Sequence, residues 1–241
     1  MTKLAKNYFL NKRIIVHQPQ SGYRFSIDAP LLADFIEGEK NSLILEIGGG
    51  CGIISLILLE LGKFNKIFTL EIQNIMINAI KQNIIENRFS DKLFVLEGDY
   101  LNYNFNKKYD IIFSNPPYYK INQGKISDNN SKAIAKFEIR LDSDSLFKKT
   151  YDILSDKGSF YIIYPHIRIN EIKKTIDKNN FFIKRERVVY PKKNKKPVFF
   201  MFELTKNKTK KIDKDSLVLE DEKGNYYPEI EKILRGEYVY N

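Results

Sequence analysis

Between Leu43 and Lys178 short apolar runs alternate with amphipathic stretches, and no other feature constrains the fold as much. Leu43 to Ile47, Ile67 to Ile72, Leu93 to Leu96, Tyr109 to Phe113 and Ser159 to Tyr164 read as buried strands. Ile53 to Leu61, Ile75 to Asn87, a segment capped by Asp142 or Ser143 and running to Leu154, and Asn170 to Lys178 carry helical spacing. Strands that alternate with helices predict a parallel sheet covered on both faces. The pattern then breaks. Phe181 to Tyr190 and Val198 to Leu204 are separated by Pro191-Lys192-Lys193-Asn194-Lys195-Lys196, too short for a crossover helix, so these two must be antiparallel neighbours. The sum is an α/β chain with a seven-stranded, mostly parallel sheet whose last strand is antiparallel. Ahead of it, Arg13 to Ile27 suggests a hairpin turning at Gln20-Ser21-Gly22, followed by a helix with Pro30 in its first turn and Leu31, Leu32, Phe35 and Ile36 on one face. Residues 1–38 therefore form an N-terminal extension of hairpin and helix, and residues 39–241 one main domain, with no repeat or linker dividing it.

A ligand site is expected where the first strand of the alternating unit opens into its helix, at Glu46-Ile47-Gly48-Gly49-Gly50-Cys51-Gly52. Gly48, Gly50 and Gly52 allow a tight turn and a close approach of backbone to ligand. Glu71 ends the next strand, placed to accept from both hydroxyls of a ribose. Asp99, after the strand beyond it, can accept from an adenine amino group. NAD would fit such a turn too, but three glycines at alternate positions behind Glu46 resemble the Glu-x-Gly-x-Gly-x-Gly signature of class I S-adenosylmethionine-dependent methyltransferases, which have a Rossmann-like fold, more than Gly-x-Gly-x-x-Gly. Asp28 reads equally as a helix N-cap or as a group facing the methionine end of that cofactor.

Asn115-Pro116-Pro117-Tyr118 follows the fourth strand and lies at the same sheet edge. An exocyclic ring amine or an amide nitrogen is a poor nucleophile because its lone pair is delocalised. The Asn115 side-chain oxygen and the Pro116 carbonyl can accept its two N–H bonds, the prolines fix the backbone, and Tyr118 offers a stacking face. With a sulfonium as leaving group the reaction needs positioning more than a strong base. Neither His17 nor His166 has the company a metal site requires, and no metal is expected. Cys51 reads as a small residue that fits the glycine turn.

Charge narrows the partner. The 241 residues carry a formal net charge of +10, with 40 Lys and Arg against 30 Asp and Glu. The excess is concentrated between Lys184 and Lys214, where twelve cations face three acids. A Lys-, Asn- and Ile-rich composition reflects an A+T-rich genome, but genome bias does not cluster charge, and the cluster points to a polyanion, most simply RNA. If Phe181 to Tyr190 runs parallel with the earlier strands, Lys192, Lys193, Lys195 and Lys196 fall at the edge that carries Asn115, and Lys206 to Lys214 at the opposite one. The apolar run Ile53 to Leu61 is too short to span a membrane and is interrupted by Ser55 and Glu60. A single Cys excludes a disulfide framework, and a cytoplasmic location is expected.

The glycine turn, Asn115 to Tyr118, Gly22-Tyr23-Arg24-Phe25-Ser26-Ile27-Asp28-Ala29-Pro30-Leu31-Leu32-Ala33 and Tyr226-Tyr227-Pro228-Glu229 together resemble the tRNA1(Val) (adenine-37-N6)-methyltransferase family. The resemblance implies S-adenosylmethionine held at Gly48, Gly50, Gly52, Glu71 and Asp99, a target adenine at Asn115 to Tyr118, and tRNA as partner. Ala135-Lys136-Phe137-Glu138 departs from that family's Ala-Arg-His-Glu. Two other readings share these residues: a glutamine N5-methyltransferase of release-factor type, whose helical domain has little room in the 45 residues before Glu46, and a non-catalytic RNA-binding module, against which the intact glycine turn and Asn115 argue. A DNA adenine methyltransferase would need a separate recognition domain.

Overall fold

A computed structural model describes residues 4–20, 24–116 and 142–237. Pro117 and Tyr118 of the expected reactive motif, Gly22, Tyr23, the polar stretch from Lys120 to Lys132 and the departure at Ala135 to Glu138 lie outside the described residues.

Strands β1 (Leu4–Phe9) and β2 (Ile14–Pro19) form an antiparallel hairpin. Its turn lies at residues 10–13, not at Gln20 to Gly22. Leu10, Asn11 and Lys12 all take positive φ, at 48°, 53° and 67°. A turn built without glycine leaves only Asn11 as a signal in the sequence, weaker than the one Gly22 offers. Helix α1 (Asp28–Phe35) follows and buries every residue except the half-buried Asp34.

The main sheet is built from β3 (Ile44–Ile47), β4 (Ile67–Glu71), β5 (Leu93–Glu97), β6 (Tyr109–Ser114), β7 (Leu154–Pro165), β8 (Phe182–Lys192), β9 (Phe199–Thr205) and β10 (Asp213–Glu220). Their spatial order is β10-β8-β9-β7-β6-β3-β4-β5. The sheet thus has eight strands where seven are expected. The added β10 pairs in parallel with β8 at the sheet edge, and β9 is antiparallel to both of its neighbours. The sequence of β10 hides it: Asp213, Lys214 and Asp215 open the strand, and only Leu217, Val218 and Leu219 supply apolar character. Charged, exposed residues are what an edge strand tolerates and a central strand does not.

The strands feed two cores in alternation. Ile44, Ile111, Phe113, Tyr161, Ile163 and Met201 face helix α1, α2 (Ile53–Glu60) and α3 (Asn74–Glu86) through Leu31, Ile57 and Ile80. Leu45, Ile112, Phe160, Ile162, Phe200 and Phe202 face α4 (Ser143–Ile153) and α5 (Ile169–Lys178) through Phe147, Ile172 and Ile176. Near-continuous apolar strands, buried on both faces, follow from this arrangement. Asp142 caps α4, its side chain accepting from the Ser145 N–H, and helix α6 (Pro228–Arg235) closes the described chain.

After β3 the chain moves outward through β4 and β5, then returns to β6 on the other side of β3. The topological switch point therefore lies between β3 and β6, and ligands bind outside the carboxyl ends of strands at such a point. The glycine turn and Asn115 both leave the sheet there.

Candidate active site

The turn after β3 is held by β4. The N–H groups of Gly48 and Gly49 both donate to the Leu70 carbonyl, at 2.9 and 3.2 Å. Gly48, Gly50 and Gly52 have φ of +71°, +56° and +80°, a backbone that favours glycine. A Cβ at Gly50 would meet nothing within 4 Å, so the turn presents bare backbone to open space. Gly49 has a different reason to be glycine: a Cβ there would stand 2.0 Å from the Thr69 hydroxyl oxygen.

Glu71 does more than end its strand. Its Oε2 accepts from the Gly50 N–H at 2.8 Å and its Oε1 from the Ile72 and Gln73 N–H groups at 2.9 Å. Burial raises its pKa against the opposing effect of those bonds. Asp99 sits half-buried beyond β5, holding its own turn through the Leu101 N–H at 3.0 Å and the Asn102 amide at 3.2 Å. Gly98 donates to the Glu71 carbonyl at 3.0 Å, which fixes the two acids on adjacent strand ends.

Glu46 lies beneath the turn. It is 2 % exposed and accepts from the Ser55 hydroxyl at 2.5 Å. Burial, with the nearby Glu71 charge adding, pushes its pKa up to about 7. Cys51 is buried as well, its thiol pushed up to about 12 by desolvation, which suits a packed residue and not a nucleophile.

Asn115 is joined to the glycine turn through its neighbour: the Ser114 hydroxyl donates to the Ile47 carbonyl at 2.9 Å. Pro116 behind it is buried. The Asn115 side chain donates from Nδ2 to Asp28 Oδ2 at 3.1 Å. Asp28 is the first residue of α1, and the cap position before it is Ile27, so the N-cap expectation for Asp28 is corrected. The structure brings Glu46, Gly48, Gly50, Gly52 and Glu71 into one cluster and Asp28 and Asn115 into another beside it, with Asp99 next to Glu71.

Of the four lysines expected at this edge, Lys192 is the last residue of β8 and donates to the Glu222 carbonyl at 3.1 Å. Lys193, Lys195 and Lys196 are exposed in the β8–β9 turn. Because β8 is antiparallel to β9, and β9 to β7, the turn lies at the carboxyl edge, about 14 Å from β6 at ~4.8 Å per strand. Lys206 is at the other edge, bonded to the Leu154 carbonyl at 2.7 Å. Much of the remaining basic cluster is paired: Lys184 and Arg185 with Glu203, Arg187 with Asp34 and Asp215.

Asn83 escaped the sequence reading. Its Oδ1 accepts from the His17 N–H at 2.6 Å, and its Nδ2 donates to the carbonyls of His17 and Cys51 at 3.0 and 2.8 Å. One turn later Asn87 pairs with both backbone groups of Ile15. Asn83 on α3 and Asn87 at its C-cap thus serve β2 as a ladder strand would and tie the hairpin to the glycine turn. A polar residue between Ile80 and Ile84 on a helix's apolar face is the signal that could have revealed it.

The crevice suits a ligand rich in hydrogen-bond donors. At this sheet edge the half-buried Asp99 and the buried Glu71 and Asp28 carboxylates stand around bare glycine backbone. A diphosphate would meet carboxylates there, whereas a ribose diol, an adenine amine and a cationic sulfonium would meet acceptors. The residues present fit S-adenosylmethionine. Among the described residues no group of three His, Cys, Asp or Glu could hold a metal ion, and no helix is long and apolar enough to cross a membrane.

Residues 21–182 match the family described as methyltransferase small domain. A tRNA1(Val) (adenine(37)-N6)-methyltransferase from Flavobacteriaceae bacterium (strain 3519-10) is 27 % identical over 212 residues, covering 88 % of this chain and 90 % of that protein. One of the same name from Bacteroides thetaiotaomicron is 25 % identical over 238 residues, covering 98 % and 99 %. Among solved structures, a predicted O-methyltransferase, Atu636 from Agrobacterium tumefaciens, superposes with a TM-score of 0.69 at 16 % identity, covering 88 % of this chain and 98 % of that one. M. jannaschii TYW2 in complex with AdoMet gives 0.57 at 14 % identity, covering 85 % and 87 %.

Proposed function

We propose, because this chain belongs to the methyltransferase small domain family, that it transfers a methyl group from S-adenosylmethionine to the N6 amine of an adenine in tRNA, of the tRNA1(Val) adenine-37 type. The observation that carries the reading is the pairing of two structures at one switch point: a glycine turn ringed by acceptors, and Asn115 bonded in place beside it. The relatives of that name, matched over nearly their whole length, support it.

When bound, S-adenosylmethionine supplies a methyl group on a positively charged sulfur that departs as a neutral thioether. The protein's part is placement. Glu71, through the acceptor position that Oε2 keeps beside the Gly50 N–H, would hold a ribose hydroxyl and Asp99 the adenine amine, with the backbone of Gly48, Gly50 and Gly52 beneath. Glu46 supports the turn from below. Asn115 Oδ1 and the Pro116 carbonyl would accept the two N–H bonds of the target amine and leave its lone pair for the methyl group, and the cationic methylated nitrogen would then release one of those two protons to water. Pro117 and Tyr118 keep the roles read from the motif, a rigid backbone and a stacking face. Holding reactants in a near-attack geometry is worth several powers of ten in rate, which accounts for a site with no evident general base. An adenine inside a stem or stacked loop must be splayed out to enter, and the exposed Lys193, Lys195 and Lys196 hold the phosphate backbone while it is, Lys192 being engaged by the Glu222 carbonyl. A tRNA substrate carries a cytoplasmic location with it.

Labelled S-adenosylmethionine and unmodified total tRNA test the reading. Wild-type protein is expected to label the tRNA. Asn115→Ala should lose transfer by a factor of roughly 10² or more while binding S-adenosylhomocysteine within about threefold of wild type. Label carried into a protein glutamine and not into RNA would overturn the tRNA reading in favour of the release-factor type. RNA binding without any transfer by the wild type would favour the binding module.

A further inference from the structure

We propose that Asp28 is a positioning residue that decides which end of the Asn115 amide faces the substrate nitrogen. The inference rests on the reading that Asn115 receives the target amine. Asp28 is 1 % exposed and stands at the first position of a buried helix, 87 residues from Asn115 in the chain. Its Oδ1 accepts from the Ser26 hydroxyl at 2.6 Å and from the Ala29 N–H at 3.0 Å, which fixes the carboxylate plane. Its Oδ2 accepts from Asn115 Nδ2 at 3.1 Å.

A primary amide has two ends of nearly the same size and opposite chemistry, and packing alone does not distinguish them. An ionised carboxylate accepts and never donates, so it selects the NH2 end. Oδ1 then lies on the far side of the amide, directed away from Asp28. Turned by 180°, Asn115 would present N–H groups to the N–H groups of the incoming amine, and the pocket would reject its own substrate. A charge-assisted bond at Nδ2 also draws electron density toward Oδ1 and strengthens it as an acceptor. Ser26 and Asp28 therefore form a relay whose output is the orientation of one side chain. This gives the Ser26-Ile27-Asp28 segment a purpose that neither a helix cap nor a cofactor contact requires.

A reciprocal exchange tests this in the full-length protein. In Asp28→Asn the Ala29 N–H and Ser26 hydroxyl hold the new amide's oxygen, its NH2 faces Asn115 and turns that amide round, so kcat should fall by about tenfold or more while the KM for S-adenosylmethionine stays within about threefold. In Asn115→Asp two carboxylates face each other, and kcat should fall further. Combining the changes restores one donor facing one acceptor, with a carboxylate oxygen left for the amine. The double variant should exceed Asn115→Asp by about tenfold, a non-additivity that mere loss of packing does not produce. A double variant with losses equal to the product of the single ones would overturn the proposal. A second readout needs no substrate: one Asn115 side-chain amide proton, assigned by its absence in Asn115→Ala, should lie downfield in the wild type and return in Asp28→Ala. An unchanged resonance would also overturn it. Should the wild type label a glutamine amide instead of tRNA, the proposed function falls, but the exchange can be run on that acceptor, where rescue or its absence decides the role of Asp28.

Discussion

Glu46 shows how a single buried residue can support a turn from below. Sequence order groups it with the glycines of the ligand turn, and the structure places its carboxyl beneath them, desolvated and bonded to Ser55. Its pKa, raised from 4.5 to about 7, means that the folded protein binds a proton the unfolded chain releases. That contribution to stability is fully present below pH about 4.5 and is lost as pH rises to about 7. At 1.36 kcal/mol per pH unit it amounts to about 3 kcal/mol. Glu46→Gln keeps the shape and removes the titration. Relative to wild type it should gain up to about 3 kcal/mol between pH 4.5 and pH 8, as read by denaturant unfolding at both values. A constant difference between the two proteins would show that Glu46 titrates normally in the folded state.

At the scale of elements, the hairpin of β1 and β2 depends on α3. Asn83 meets three backbone groups in a buried position, while Asn87 makes its bonds closer to solvent. Leaving a buried donor or acceptor unsatisfied costs about 1–3 kcal/mol. Asn83→Ala should therefore destabilise by about 3 kcal/mol and weaken S-adenosylhomocysteine binding several-fold through the Cys51 carbonyl; Asn87→Ala should cost less. Equal losses in urea unfolding would contradict the buried-bridge account. In the sequence only its place between Ile80 and Ile84, on the apolar face of a helix, marks Asn83 out from the many other asparagines, and its partners are not legible there at all. What was legible followed period and punctuation: β3 to β7, their helices, the antiparallel β8–β9 pair and the glycine turn all carry long apolar runs or glycine signals. The turn at Leu10 to Arg13 and the edge strand β10 were missed because each breaks its own local rule. The former takes positive φ without glycine, and the latter opens on charges that only an edge accepts. Within the site, the residue types at Glu71 and Asn115 were readable from their places at strand ends, but the Asp28–Asn115 bond joins segments that only the fold brings together.

Over the whole molecule, the net charge of +10 divides into parts with different work. Arg185 and Arg187 stack on the Phe35 ring at 4.5 and 5.2 Å and pair with acids, so they bind α1 to the β8–β10 edge. Lys206 lies over Tyr151 at 4.7 Å and serves packing. Lys193, Lys195 and Lys196, exposed at the carboxyl edge, remain for a phosphate backbone. Each phosphate contact contributes about 0.7–0.9 to the slope of log affinity against log salt. Replacing these three by Ala should lower the tRNA-binding slope by about two and weaken binding, whereas Lys208, Lys210 and Lys211 at the opposite edge should change it by less than one. Equal slopes for both triple variants would remove the topological sorting of charge.

The central claim concerns one atom of one base, so the most direct measurement identifies the product nucleoside. Unmodified total tRNA treated with wild-type protein and S-adenosylmethionine, then digested to nucleosides and resolved by mass spectrometry, should yield N6-methyladenosine, and the Asn115→Ala protein should form it at a rate lower by a factor of roughly 10² or more. A methyl group recovered on any other nucleoside, or N6-methyladenosine formed equally by Asn115→Ala, would contradict the account.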